Sequence, residues 1–187
     1  MLFRSEGLDR LVLLDDTLLV VVSDHGEGHG NFMGRNAYEP VIKVPWVMVG
    51  PQLQEAATAV EMVTSLLDLA PTLLGLLRVP VPCPMQGRDL TTDGTPRLAL
   101  FGGRPPKFQL GLVDGRWKFI LEDYSEEMLY DLSVDPNEQQ NLASRFPDVA
   151  ARYHERIEQY QAFSENLIEN YADILARSSC AAAPVGQ

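Results

Sequence analysis

The sequence predicts an α/β chain in two parts, a sheet flanked by helices and then a small antiparallel sheet closed by a long C-terminal helix. Three observations predict it. Two short apolar runs, residues 17–23 and 44–49, each end at a turn rich in glycine or polar residues. Continuous apolarity over such a length fits a strand buried on both faces, as in a parallel sheet covered by helices. After residue 96, several short strand-like stretches follow one another with no helix between them, which suggests antiparallel neighbours. Finally, apolar residues recur at helical spacing through residues 146–176.

Taken in order, residues 5–14 place Leu8, Leu11, Val12 and Leu14 at roughly helical spacing, the tail of a helix that Asp15-Asp16 ends. The first strand runs to Ser23 and gives way to Asp24-His25-Gly26. A loop with glycines at 26, 28, 30 and 34 leads to the second strand, which stops at Gly50-Pro51. Residues 64–77 read as a helix containing Pro71. Proline removes an amide donor and clashes with the preceding turn, so it either kinks this helix or starts a new one. Pro80, Pro82 and Pro84 follow as an extended linker, and a subdomain boundary is placed near residue 90. Residues 1–90 then form one unit and 91–177 a smaller α+β unit, with 178–187 as a disordered tail. In the second unit, strands are expected at 97–101, 111–113, 117–121 and 128–132, with Asp114-Gly115 as a hairpin signal. The closing helix has Pro147 in its first turn and Val149, Tyr153, Ile157 and Tyr160 on one stripe.

Composition narrows the function. With 45% hydrophobic and 22% charged residues, the 187-residue chain has enough apolar material for one sizeable core or two small ones. A formal net charge of -11 argues against a duplex nucleic-acid binder, which needs a basic face to displace phosphate counterions. Cys83 and Cys180 stand far apart and belong to no CxxC pair, which excludes a disulfide scaffold. No apolar run is long enough to span a bilayer. The first residues also lack the long apolar segment of a signal peptide. The sequence therefore points to a cytoplasmic protein, or to an export signal upstream on a longer chain.

Asp24-His25 is the pair that carries chemistry. In open α/β sheets, ligands bind outside the carboxyl ends of strands, where these residues sit. A carboxylate beside an imidazole can reach one divalent cation, and neutral imidazole suits zinc, manganese or iron better than calcium. Gly26 would permit the unusual backbone angles of a tight turn. The dipeptide alone reads better as a capped turn, with Asp24 bonding backbone amides and His25 exposed to solvent.

Four longer segments stand in order along the chain. The first is Asp15-Asp16-Thr17-Leu18 running into Ser23-Asp24-His25-Gly26-Glu27. The second is Tyr38-Glu39-Pro40 with Ile42-Lys43-Val44-Pro45 and Gly50-Pro51. The third is Val63-Thr64-Ser65-Leu66-Leu67-Asp68-Leu69-Ala70-Pro71-Thr72-Leu73-Leu74, followed by Gly87-Arg88-Asp89-Leu90. The fourth is Asp114-Gly115-Arg116-Trp117-Lys118-Phe119-Ile120, then Leu129-Tyr130-Asp131-Leu132, Asp135-Pro136-Asn137-Glu138 and Asn141-Leu142-Ala143. Their order and spacing resemble the sulfatase family of the alkaline phosphatase superfamily, in its C-terminal portion, from about residue 8 to 165.

The resemblance implies a partial alkaline-phosphatase-like sheet sandwiched by helices, and sulfate ester hydrolysis beside a divalent cation, calcium or manganese/zinc. It assigns Asp24 and His25 to half of the metal site, with the remaining ligands expected from the family's N-terminal part. Asp15-Asp16 matches a turn before the strand and is read as structural. The family's nucleophile, a formylglycine made in a Cys/Ser-x-Pro/Ala-x-Arg motif, has no match here: Cys83 is followed by Pro84-Met85-Gln86-Gly87, and no serine fits. Members also place a lysine or histidine four or five residues before the Tyr38-Glu39 equivalent, where this chain has Gly34 and Met33. Arg35 could supply that positive charge to a sulfate or phosphate group, or be a solvated loop arginine. His29 could be a second contact to metal or substrate, or a flexible loop histidine with neither role. Lys43, Ser65, Asp68 and the stretch 129–143 are read as structural.

The expectation is thus a fragment of a sulfatase-like enzyme, inactive alone, whose parent acts on a small-molecule or glycan sulfate ester. Phosphonate or phosphate ester hydrolysis, or phosphoglycerol or phosphoethanolamine transfer, is the alternative within the superfamily. A non-catalytic domain is the alternative outside it.

Overall fold

A computed structural model describes residues 16–27, 36–53, 62–80, 85–103 and 108–170. It contains two antiparallel sheets and a long C-terminal helix. The expected helix tail at 5–14, the proline linker around Cys83, the far end of the last helix and the tail at 178–187 lie outside the described residues, as does Cys180.

Strand β1 (Leu19–Val22) pairs with β2 (Trp46–Val49), Leu19 facing Val49 and Val22 facing Trp46. The pairing is antiparallel, which corrects the parallel arrangement expected for these two runs. Nor are both faces covered among the described residues, for Val47 and Val49 are 53% and 58% exposed. A short apolar run marks a strand but carries no sign of its direction. Between the two strands lies one turn of helix, α1 (Glu39–Ile42), with Pro40 in its first turn where a missing amide costs nothing.

The expected helix at 64–77 is split. A 3₁₀ turn, Leu66–Asp68, precedes α2 (Leu69–Leu76), and Pro71 sits in the first turn of α2 without breaking it. Ser65 and Asp68 form a reciprocal capping box: the Ser65 hydroxyl accepts from Leu67 N, and Asp68 Oδ2 accepts from Ser65 N at 2.9 Å. Asp68 is fully buried, and its other oxygen accepts from Arg88 N at 3.0 Å and pairs with Arg97. The Gly87-Arg88-Asp89 segment therefore packs on this helix, so closely that a Cβ at Gly87 would lie 1.8 Å from the Leu67 carbonyl oxygen.

The second sheet has the order β3 (Ala99–Gly103), β4 (Gln109–Asp114), β5 (Trp117–Glu122), β6 (Glu126–Asp131), all antiparallel. Asp114 pairs with Trp117, leaving Gly115 and Arg116 as a two-residue hairpin turn. Gly115 has φ +58°, which only glycine adopts cheaply at the first position of a primed turn. Leu112, Phe119, Leu121 and Leu129 point to one face, where they meet Ala150, Tyr153 and Ile157 of α3 (Pro147–Glu169). The Tyr153 hydroxyl donates to Asp114 Oδ2 at 3.0 Å, so the buried ring keeps its polar end satisfied.

The opposite face is covered as well. Ile120, Met128 and Tyr130 pack with Ala37 and Tyr38, which lead into α1. Ala37 N donates to Gln109 Oε1 at 2.8 Å, and Gln109 Nε2 donates to Glu122 Oε2 at 2.6 Å. The segment from Ala37 to Ile42 therefore joins the sheet that follows it by some 70 residues to the loop that precedes it.

Candidate metal centre

The loop after β1 is built by backbone and side-chain hydrogen bonds. Ser23 Oγ donates to the His25 carbonyl at 2.6 Å, and His25 N donates to Asp24 Oδ1 at 3.0 Å. His25 Nδ1 lies 2.7 Å from the Gly26 carbonyl oxygen. A carbonyl only accepts, so Nδ1 carries the proton and Nε2 keeps a free lone pair. Gly26 N in turn donates to the Val41 carbonyl of α1 at 2.7 Å.

Gly26 is needed here for a reason other than the one expected. It does not adopt positive φ; a Cβ at this position would stand 2.1 Å from the Pro40 carbonyl oxygen. The glycine permits close approach to α1 rather than a strained turn.

Asp24 and His25 are 88% and 58% exposed, and Asp24 Oδ2 lies 3.8 Å from His25 Nε2. Two ligands bound about 2.1 Å from one metal stand roughly 3.0–3.4 Å apart, so a small rotation of these exposed side chains would bring both onto a common cation. The Gly26 carbonyl and then the Asp24 carboxylate raise the His25 pKa above its ordinary value; slight desolvation opposes them and Glu27 adds to them. The second proton these contacts favour would sit on Nε2, so a metal ion competes with it there, and binding is expected to strengthen as pH rises. The donor set, one carboxylate oxygen and one imidazole nitrogen with its other nitrogen held by a carbonyl, fits a divalent transition metal. Among the described residues no group of three or more His, Cys, Asp or Glu side chains converges. His29 and Arg35 lie outside the described residues.

Among the described residues, some of those read as structural bond to nearby backbone groups. Lys43 is the exposed C-cap of α1. Asn141 Oδ1 accepts from Leu129 N at 3.0 Å and from Ala143 N at 2.9 Å, while its amide donates to the Glu127 carbonyl. Two participants were not singled out from sequence. Lys118 on β5 is wholly buried, its Nζ 2.6 Å from Glu138 Oε1 and 3.1 Å from Glu39 Oε1. Glu138 Oε2 also accepts from the backbone N of Glu39 at 2.7 Å. All three lie inside segments quoted for the family resemblance, but no local pattern links them, because they stand 20 to 99 positions apart.

Comparison with known proteins gives a consistent likeness. Residues 6–79 match the sulfatase family. Mouse arylsulfatase K is 27% identical over an alignment covering 91% of this chain and 38% of the relative. An uncharacterized sulfatase of Escherichia coli, YidJ, is also 27% identical, covering 78% of this chain and 32% of the relative. The chain spans about two fifths of the length of the first of these relatives. Among solved structures, a 2-O GAG sulfatase superposes with TM-score 0.70 at 22% identity, covering 89% of this chain and 41% of that one. The phosphonate monoester hydrolase of Agrobacterium radiobacter gives TM-score 0.69 at 24% identity, covering 84% and 37%. At such identities the superpositions establish the fold.

Proposed function

Because this chain is a sulfatase relative, we propose that Asp24 and His25 are its contribution to the divalent-metal centre of a sulfate ester hydrolase. The observation that carries the reading is the His25 imidazole held through Nδ1 by the Gly26 carbonyl, with Nε2 free beside the Asp24 carboxylate. Asp24 brings negative charge, and His25 brings a nitrogen lone pair in a fixed tautomer. A cation bound there supplies Lewis-acid polarisation of ester oxygens. Arg35, with His29 near it in sequence, is the proposed contact for the substrate's anionic group, a guanidinium being suited to a sulfate fork.

The boundary near residue 90 is retained as a proposal, separating a part that carries the metal half-site from one that carries the four-stranded sheet. Since no Cys/Ser-x-Pro/Ala-x-Arg occurs in the 187 residues, the chain by itself is proposed to be a piece of a sulfatase that binds metal but does not turn over sulfate esters. The substrate class proposed for the complete enzyme is a small-molecule or glycan sulfate ester.

Titration of the purified chain with Co²⁺, Mn²⁺ and Ca²⁺ tests the metal assignment. Binding is expected to weaken by about tenfold or more in Asp24→Asn and in His25→Gln. Equal affinity of both variants and wild type would overturn it. Hydrolysis of an aryl sulfate by the chain with added metal would overturn the proposed inactivity. The imidazole ligand also fits a phosphonate ester hydrolase using a transition metal. A centre that takes calcium and ignores manganese and cobalt would remove that second reading.

A further inference from the structure

We infer that Lys118, buried in the C-terminal sheet, is a positioning residue for His25, acting through Glu138, Glu39 and helix α1; the inference rests on the metal reading of Asp24-His25.

The connection is a continuous run of short polar contacts. Lys118 Nζ is held between Glu138 Oε1 at 2.6 Å and Glu39 Oε1 at 3.1 Å, and it lies 5.3 Å from the centre of the Phe101 ring. Glu138, fixed by the lysine, accepts the backbone N–H of Glu39 through its second oxygen at 2.7 Å. That N–H is the first amide of α1, and the next residue is a proline with none. One carboxylate therefore sets where α1 begins. At the other end of the turn, the Val41 carbonyl accepts from Gly26 N at 2.7 Å. Gly26 then holds the imidazole by its own carbonyl, also at 2.7 Å.

The contacts leave little slack. Gly26 is so close to α1 that a methyl group there would overlap the Pro40 carbonyl oxygen, and Lys118, Glu138 and Val41 are all buried. A displacement of α1 therefore moves Gly26 and reorients the ring. The charges explain why the sheet carries a lysine at all. Burying an ammonium is costly unless it is paired and hydrogen-bonded, and here two carboxylates from distant segments converge on it. A leucine or methionine at 118 would fill the space but would leave Glu138 and Glu39 with no cation between them.

The test compares Lys118→Met and the gentler Glu138→Gln with Ile157→Ala, which empties the other face of the same sheet without touching α1. In the metal-free chain, the Gly26 amide and the His25 ring ¹⁵N resonances report the geometry by NMR, and thermal melting reports stability. Both cluster variants are expected to shift or broaden the His25 and Gly26 signals. They should also weaken Co²⁺ binding by about tenfold, the scale of a lost outer-shell partner. Ile157→Ala should lower the melting temperature while leaving those signals and the affinity unchanged. If a folded cluster variant melts lower but keeps the wild-type His25 and Gly26 resonances, the lysine is merely structural and the inference is overturned. Absence of Co²⁺ binding in the wild-type chain would instead remove the metal reading, and the NMR comparison would still decide whether Lys118 positions the ring.

Discussion

At the scale of single residues, Gly26 is the most constrained position in the candidate centre. Gly26→Ala would place a methyl 2.1 Å from the Pro40 carbonyl oxygen, a backbone atom that cannot rotate away. The Gly26–Val41 hydrogen bond must then break, and the amide at 26 should exchange with solvent at an unprotected rate. Retained slow exchange in the alanine variant would show that the methyl is accommodated without the two segments separating. Tyr130 offers a separate check. Burial, and then the Tyr38 hydroxyl beside it, push its pKa well above the ordinary value near 10. The fold favours the neutral phenol, so this contribution to stability is complete below about pH 10 and falls as pH rises from there toward the folded-state value. Tyr153, raised mainly by burial, acts in the same direction. Urea midpoints should thus hold up to about pH 10 and drop above it, less steeply in Tyr130→Phe.

Elements add a different kind of dependence, because each is fastened by residues outside it. The 3₁₀ turn before α2 is capped by Ser65 and Asp68, yet the same Asp68 carboxylate also gathers Arg88 N and the Arg97 guanidinium. Asp68→Ala removes a cap and strands a partly buried arginine, a loss of about 3 kcal/mol that urea denaturation would register. On α3, Ile157→Ala should cost about 2–5 kcal/mol, since the side chain is wholly buried against the sheet. A truncation cost below about 1 kcal/mol would mean that α3 is not seated as described. These elements were readable in advance to different degrees. The hairpin at Gly115 and the entry of α3 at Pro147 were legible because glycine and proline act on the local backbone. The direction of β2 against β1 was not, since an apolar tetrad looks the same in either sense. Pro71 left two outcomes open, and the Ser65–Asp68 box decided between them.

For the molecule as a whole, the feature least visible in the sequence is the second covered face of the four-stranded sheet. Lys118 alternates with Trp117 and Phe119 as a solvent-facing residue would, and only contacts with Glu39 and Glu138 make its burial tolerable. The Asp24-His25 motif was legible as chemistry, whereas its support was not, because hydrogen bonds between distant segments leave no periodic trace. The same separation bears on the order of folding. Hairpins β3 to β6 and helix α3 are close neighbours along the chain and can form early. Segment 37–42 must close a loop of some 70 to 100 residues to reach Gln109, Lys118 and Glu138, a slower event for entropic reasons. Until then the lysine faces water, and Gly26 has no carbonyl to meet. Pulse-labelled hydrogen exchange during refolding should accordingly find β5 amides protected before Gly26, the imidazole loop maturing after the sheet.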